Sequence, residues 1–307
     1  MTDAPRITLV TPSYNQAEYV EMTVRSVLLQ RYPNLEYIVM DGGSTDGSAQ
    51  ILERYADRFA YYQSCRDKGQ SDAIHQGFAR GSGQIMGYLN SDDMLAPGAL
   101  HFVAEYFATH PDVDVIYSHR CTVDRWNKVI SYWVLPPHCN YLMKRWDLIP
   151  QETCFWRRSI FETCGNIDPT LRFAMDYELF LRFMLAGKFV RVNRFLGAFR
   201  YHDDSKTSRL LFAVGHGEIK AVQVRHGLKI GKYESMIGGL FSLHVQRQGA
   251  KHTHRARTLV GGLPGIGYDY DDVWGGQLRD NRLPPKFKPP EADAQADEKP
   301  LAVALTL

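Results

Sequence analysis

An α/β fold built on a mostly parallel sheet flanked by helices, with a C-terminal helical extension, is predicted from three features of the 307-residue chain. Short apolar runs alternate with stretches of helical periodicity at the spacing of strand–helix–strand units. The runs are continuously apolar and stop at polar turn residues, as strands buried on both faces do. Hydrophobic residues at 44% and charged residues at 23% are ordinary for a soluble globular protein, and the length suits one large or two modest domains.

Residues 7–11, Ile-Thr-Leu-Val-Thr, form the first strand, stopped by Pro12. Residues 17–30 place Val20, Val24, Val27 and Leu28 on one helical face. The second strand, 35–40, ends at Asp41-Gly42-Gly43-Ser44-Thr45-Asp46-Gly47. A helix over 48–55, a strand over 61–64 and a helix over 71–79 lead to an apolar run, 85–89, that ends at Asn90-Ser91-Asp92-Asp93. A strand over 113–117 is followed by an irregular aromatic stretch to residue 150, with Trp126, Tyr132, Trp133, Tyr141 and Trp146. Asp176 precedes the helical pattern Leu179, Phe180, Phe183 and Met184. Helices are predicted over 210–226 and 233–248, and from Pro284 the chain reads as a flexible tail. The expected division is a catalytic-type domain over 1–208, a basic helical extension over 209–283 and a tail over 284–307.

Five cysteines, odd in number and without a CxxC pair, fit a reduced cytosolic compartment better than a disulfide framework or a zinc site. No apolar signal region precedes the first strand and no run of about eighteen apolar residues occurs, so neither secretion nor a spanning helix is expected. The net charge of +2 hides an asymmetry. Residues 206–257 hold ten of the 36 basic residues and two of the 34 acidic ones, leaving 26 against 32 elsewhere.

In a parallel sheet, ligands sit beyond the carboxyl ends of the strands. Thr11-Pro12-Ser13-Tyr14-Asn15, Asp41-Gly42-Gly43 and Ser91-Asp92-Asp93 each follow a strand and would line that one rim. A dinucleotide fingerprint is excluded, because the first strand is followed by Thr-Pro-Ser-Tyr-Asn and not by GxGxxG. No GxxxxGK[ST] loop occurs either, so nucleotide binding would rely on a metal and side chains. Adjacent carboxylates after a buried strand are costly unless a cation meets them, and a hard divalent ion carrying phosphates is a fitting one. The alternative is a helix cap.

The ordered set Thr11-Pro12-Ser13-Tyr14-Asn15, Asp41-Gly42-Gly43-Ser44-Thr45-Asp46-Gly47, Asp67-Lys68-Gly69-Gln70-Ser71-Asp72-Ala73, Asn90-Ser91-Asp92-Asp93, Phe155-Trp156-Arg157-Arg158, Met175-Asp176-Tyr177-Glu178-Leu179 and Arg200-Tyr201-His202 resembles family 2 glycosyltransferases of the Rossmann-like GT-A fold. The resemblance covers residues 6–208. It implies inverting transfer of a sugar from a nucleotide-diphosphate sugar, with a UDP-sugar as first choice, to an acceptor hydroxyl in bacterial surface polysaccharide or glycoconjugate synthesis. Thr11, Pro12, Tyr14 and Asn15 would hold the nucleotide, Asp41 its base or ribose, and Asp92 the ribose or diphosphate. Asp93 and His202 would hold Mn²⁺ or Mg²⁺, and Asp176 would be the catalytic base. Gln151-Glu152-Thr153 would face the acceptor or donor sugar.

Gly42, Ser91 and Met175 stand where relatives often carry acids, and His75 where they often carry Asn, so the motifs specify the reaction class and leave the donor open. A nucleotidyltransferase and a catalytically silent sugar-binding subunit are the competing readings. The acceptor is expected to be a glycan or a lipid-linked glycan. The basic C-terminal third is expected to meet an anionic membrane surface on the cytoplasmic face, an oligomer contact being the alternative. Nucleic acid is not expected as a partner, since no aromatic platform interleaves the charges.

Overall fold

The computed structural model describes residues 4–146, 148–228, 231, 236–237, 240, 243–245, 247 and 266–280. Strands β1 (Ile7–Ser13), β2 (Leu35–Asp41), β3 (Tyr61–Ser64) and β4 (Ile85–Tyr88) pair in parallel in the order β3-β2-β1-β4. Helices α1 (Val20–Leu28), α2 (Ser48–Glu53) and α3 (Gln70–Arg80) form the crossovers between them. Val10, Ile38 and Met40 point to one face, against α3, while Leu9, Tyr37 and Val39 point to the other, against α1. This period-two division of wholly apolar strands is what burial on both faces requires. Gly77 permits the close seat of α3, because a Cβ there would lie 2.5 Å from Val10 Cγ1.

Pro12 does not stop β1. It lies within the strand, opposite Met40. Val10 O accepts from Leu89 N–H on the β4 side and Ser13 O accepts from Gly42 N–H on the β2 side. By alternation Pro12 faces the β4 side, where β4 has already ended, so its missing N–H breaks no ladder bond.

Beyond β4 the sheet becomes mixed. β5 (Met94–Leu95) is followed by α4 (Ala99–Thr109), β6 (Val115–Val123) and β7 (Val129–Trp133). After α5 (Asn140–Met143) come β8 (Phe155–Arg157), α6 (Arg158–Cys164), α7 (Met175–Ala186) and β9 (Phe189–Arg200). The order continues β4-β8-β6-β9-β5, with β8 antiparallel to both β4 and β6, β9 parallel to β6, and β7 antiparallel to β6. The stretch expected to be irregular after residue 117 is therefore largely a hairpin, turning at Asn127 with φ 71°. Its polar residues disguise it: buried His119 meets Asn193, Arg120 meets Glu152, and Ser118 N–H donates to Thr153 Oγ1.

The helix predicted over 210–226 is present as α8 (Lys206–Leu210), a wider turn over Leu211–Gly215 and α9 (His216–Arg225). Of the helix predicted over 233–248, the described residues 236–237, 240, 243–245 and 247 are helical; the remainder, and the tail from 284, lie outside the described residues. Residues 266–280, within the expected helical extension, return to the sheet as a strap. Val129 N–H donates to Tyr268 O, and Gly267 N–H to Val129 O. Tyr270, Trp274 and Leu278 are buried with Met94, Cys121, Val129, Tyr132 and Phe195 in a third core. Arg25, on buried α1, donates through Nε to Gln277 O at 2.8 Å.

Candidate active site

A cavity of about 1950 Å³ opens at the carboxyl ends of the parallel strands. Pro12, Ser13 and Tyr14 reach it from β1, Gly42 and Gly43 from β2, and Asn90, Ser91 and Asp92 from β4. Tyr14 is 61% exposed, whereas Ser13 is buried.

Thr11, Asn15 and Asp41 stand behind this rim, each engaged in hydrogen bonds within the protein. Thr11 is fully buried, its hydroxyl paired with Tyr37 OH at 3.0 Å. Asn15 adopts φ 51° and ties the first two loops together: its Oδ1 accepts from Thr45 N–H at 2.9 Å and its N–H donates to Ser44 Oγ at 2.8 Å. Asp41, 2% exposed, accepts from Gly43 N–H, Ser44 N–H, Ser44 Oγ and Ser64 Oγ. A carboxylate so saturated builds its loop.

Asp67, quoted in a motif but given no role there, is a carboxylate on the cavity wall beside Gly42. A Cβ at Gly42 would lie 2.9 Å from Asp67 Oδ2, so the space a second acid after β2 would need is filled from the loop after β3. Asp67 Oδ1 accepts from Gly69 N–H at 2.8 Å, and burial together with Asp72 and Asp41 raises its pKa. The absence of an acid at position 42 was the available signal.

Asp92 and Asp93 part company. Asp93 is 1% exposed; its Oδ1 accepts from the Arg200 peptide N–H at 2.9 Å and its Oδ2 from Asn90 Nδ2 at 3.3 Å. Burial, then Asp92 and Glu152, raise its pKa well above the usual range. In this arrangement the Asp93 side chain links the start of β5 to the end of β9. Asp92 faces the cavity, with Oδ2 3.1 Å from His202 Nε2. Its carbonyl accepts from Arg200 Nε at 2.9 Å. Tyr19 lies beside the His202 ring at 4.6 Å between centroids, and the Arg200 guanidinium sits 4.9 Å from the Tyr19 centroid. A carboxylate oxygen and an imidazole nitrogen converging from two segments suit Mn²⁺ or Mg²⁺, which need few protein ligands when a diphosphate supplies the rest. Among the described residues no group of three or more His, Cys, Asp or Glu converges as a metal site.

On another wall, Asp176 occupies the first turn of α7, and its Oδ1 accepts from Tyr177 N–H at 2.9 Å. It does not cap the helix: the N–H groups of Arg172, Phe173 and Ala174 leading into α7 are taken by Glu218 from α9. Burial raises the Asp176 pKa, opposed by Tyr177 N–H, Lys206 and Arg120.

Arg120 forms a two-pronged bond to buried Glu152 at 2.8 and 2.7 Å, its guanidinium 5.0 Å from the Trp133 centroid and 4.5 Å from that of Phe199. All four residues line the cavity with Gln151 and Trp146, whereas Thr153 turns back to Ser118. Trp126 is 67% exposed outside the cavity and Tyr132 belongs to the core.

The sequence model of Glycosyl transferase family 2 matches residues 8–165. The chain belongs to glycosyl transferase family 2. It is similar to an uncharacterized glycosyltransferase of Mycobacterium tuberculosis (strain ATCC 25618 / H37Rv), with 30% identity over 188 residues, 59% of this chain and 70% of that relative. It is also similar to the chondroitin synthase of Escherichia coli, with 26% identity over 241 residues, 76% of this chain and 34% of that much longer relative. In fold it resembles S. aureus TarS 1–349 in complex with UDP-GlcNAc, at TM-score 0.59 and 16% identity over 82% of this chain and 76% of that one. The mannosyltransferase PcManGT from Pyrobaculum calidifontis, in complex with GDP-Man and Mn²⁺, superposes at TM-score 0.56 and 17% identity over 83% of this chain and 76% of that one. Against a longer TarS chain this glycosyltransferase spans 37% of the length. Its mixed sheet with helices on both faces is the GT-A architecture of such enzymes.

Proposed function

We propose that this glycosyltransferase moves a sugar, with inversion, from a nucleotide-diphosphate sugar to an acceptor hydroxyl and depends on Mn²⁺ or Mg²⁺. The observation that carries this reading is the presence, in one cavity, of Asp92 and of Asp176 on separate walls, with buried His202 3.1 Å from Asp92. Inversion by a single displacement needs a base for the acceptor and a separate place for the leaving group. Asp92 and His202 hold the ion; when bound, it neutralises charge on the diphosphate. Asp176 receives the proton of the acceptor hydroxyl. Pro12, Ser13 and Tyr14 line the nucleotide end, with the Asp67 carboxylate available to an imide N–H of the base. Uracil offers such an N–H, and a UDP-sugar is the proposed donor. Gln151 and the Arg120–Glu152 pair orient the transferred sugar, with Trp133 and Trp146 beside it.

The proposed acceptor is a glycan, free or lipid-linked, of a bacterial surface polysaccharide or glycoconjugate, handled at the cytoplasmic face of the membrane. Among the described residues no helix is long and apolar enough to cross a membrane. Phe212 at 81% and Val224 at 68% exposure lie among Lys220 and Arg225, a combination suited to an anionic lipid surface. Equal, salt-insensitive recovery with neutral and anionic vesicles would remove that part of the proposal. Replacing Asp176 with Asn tests the reaction itself: transfer is expected to fall by about two to four orders of magnitude while donor binding persists. Full activity in the variant would refute the assignment.

A further inference from the structure

Lys206 opens α8 four residues after His202, and Ser205 N–H donates to His202 O at 3.0 Å, so one short turn carries Lys206 to the cavity wall and buried His202 to Asp92. The Lys206 ammonium is poorly compensated. Its Nζ donates to the uncharged Gln70 Oε1 at 2.5 Å and lies 3.9 Å from Met175 Sδ. Among the described residues no carboxylate comes within ion-pair distance of it. Burial brings its pKa down to about 8, although Asp176 and Glu218 favour the charge. A cation at a helix start also opposes the helix dipole. Of the other cations lining the cavity, Arg120 is paired with Glu152 and Arg209 with Asp204, while Arg66, Lys68, Arg145 and Arg172 also reach it and Arg172 disfavours the Lys206 charge.

A cation taken out of water without an anionic partner is an expense that a ligand can offset. Position identifies that ligand. Gln70 Nε2 donates to Asn90 Oδ1 at 2.6 Å, which joins Lys206 to the segment that carries Asp92. We propose that Lys206 is the protein's own cationic contact for the diphosphate of the donor, acting from the side opposite the Asp92–His202 pair. The inference rests on the reading of this cavity as a nucleotide-sugar site. In the transfer, the acceptor oxygen bonds to the anomeric carbon and the bond from that carbon to the diphosphate oxygen breaks. The electron pair stays on the leaving phosphate and the acceptor proton passes to Asp176. Lys206 remains protonated throughout and stabilises the leaving charge by a charge-assisted hydrogen bond, exchanging Gln70 for a phosphate oxygen.

A tether between α8 and α3 through Gln70 would account for the same apo contacts, and it predicts different behaviour. Calorimetric titration of the full chain in saturating Mn²⁺ with inorganic pyrophosphate, UDP and GDP, on wild type, Lys206→Met and Lys206→Arg, separates the two. Lys206→Met is expected to weaken binding of pyrophosphate, and of whichever nucleotide binds, by about tenfold to a hundredfold. Lys206→Arg should recover most of it. Without ligand, Lys206→Met should melt no lower than wild type, since a costly buried charge has gone. Unchanged binding in Lys206→Met would overturn the inference, as would a loss matched by parallel destabilisation in both variants, or failure of wild type to bind any of the three probes. If wild type binds pyrophosphate in a Lys206-dependent way yet turns over no nucleotide sugar, the transfer reading fails and this contact stands.

Discussion

The two adjacent carboxylates Asp92 and Asp93 are set apart by partners far away in the chain. Asp93 is turned inward because β5 pairs with β9, which brings the Arg200 N–H to it; Asp92 is left to His202. The Asn90-Ser91-Asp92-Asp93 string reveals the acidic pair and its place after a strand, but the division of labour depends on a contact spanning 107 residues. Asp92→Ala should therefore abolish Mn²⁺-dependent donor binding. Asp93→Asn, which keeps an oxygen for Arg200 N–H and removes a buried charge, should keep the metal dependence and melt no lower. Manganese titrations of donor binding distinguish these, and equal losses in both variants would return the ligand role to Asp93. Asp176 was legible as a carboxylate at a helix start; the Glu218 carboxylate that takes the Phe173 and Ala174 N–H groups just ahead of that helix was not. Burial places the Asp176 pKa above its ordinary 3.8, despite the pull of Tyr177 N–H, Lys206 and Arg120. Since a base must be ionised, kcat should fall as pH drops through that raised value, and Lys206→Met should push the acid limb higher still. A kcat–pH profile with no shift in the variant would contradict this coupling.

Among the elements, β9 does the most to assemble the site, and it is the one the sequence conceals. Its residues 189–200 include Arg191, Asn193, Arg194 and Arg200, so the strand lacks the apolar continuity that marks β1, β2 and β4. Several polar positions in β6 and β9 are tolerable because they meet partners across the sheet, His119 with Asn193 and Ser118 Oγ with Leu196 N–H, which no local pattern announces. Arg200, fully buried at the end of β9, donates to Asp92 O, Asp124 O and Asn127 Oδ1. Lysine cannot serve these acceptors together. Arg200→Lys should cost about 2–4 kcal/mol in urea unfolding, through unsatisfied buried carbonyls, and weaken metal binding through Asp92. Wild-type stability in this variant would show that the guanidinium network is not what fixes the Asp92 loop.

At the scale of the molecule, the parallel half of the fold and the rim it creates follow from the alternation of apolar runs and helices. The strap does not. Residues 266–280 are rich in Gly, Asp and Tyr, and their docking relies on a core made by β6, β7 and β9. Asp269 is the electrostatic anchor. Burial raises its pKa, but Arg279, the Asp271 N–H and Asn127 together bring it below 3.8. A folded-state pKa below the unfolded one contributes stability above the unfolded value, lost as pH falls through the folded value. Hydrogen exchange at Tyr268-bonded Val129 and at Gly267, corrected for intrinsic rates, should accordingly rise below about pH 4. A chain ended at residue 265 should melt lower than the full chain, since Met94, Cys121 and Phe195 lose the cover of Tyr270, Trp274 and Leu278. An unchanged melting temperature would show the strap to be dispensable.

The most direct test of the proposed activity is a panel of nucleotide sugars incubated with the full-length enzyme, a glycan acceptor and Mn²⁺, with release of nucleoside diphosphate measured for wild type and Asp176→Asn. One donor turned over by wild type, lost on chelation of the metal and lost in Asp176→Asn with its binding intact, is the predicted result; turnover that survives both chelation and the loss of Asp176 would contradict it.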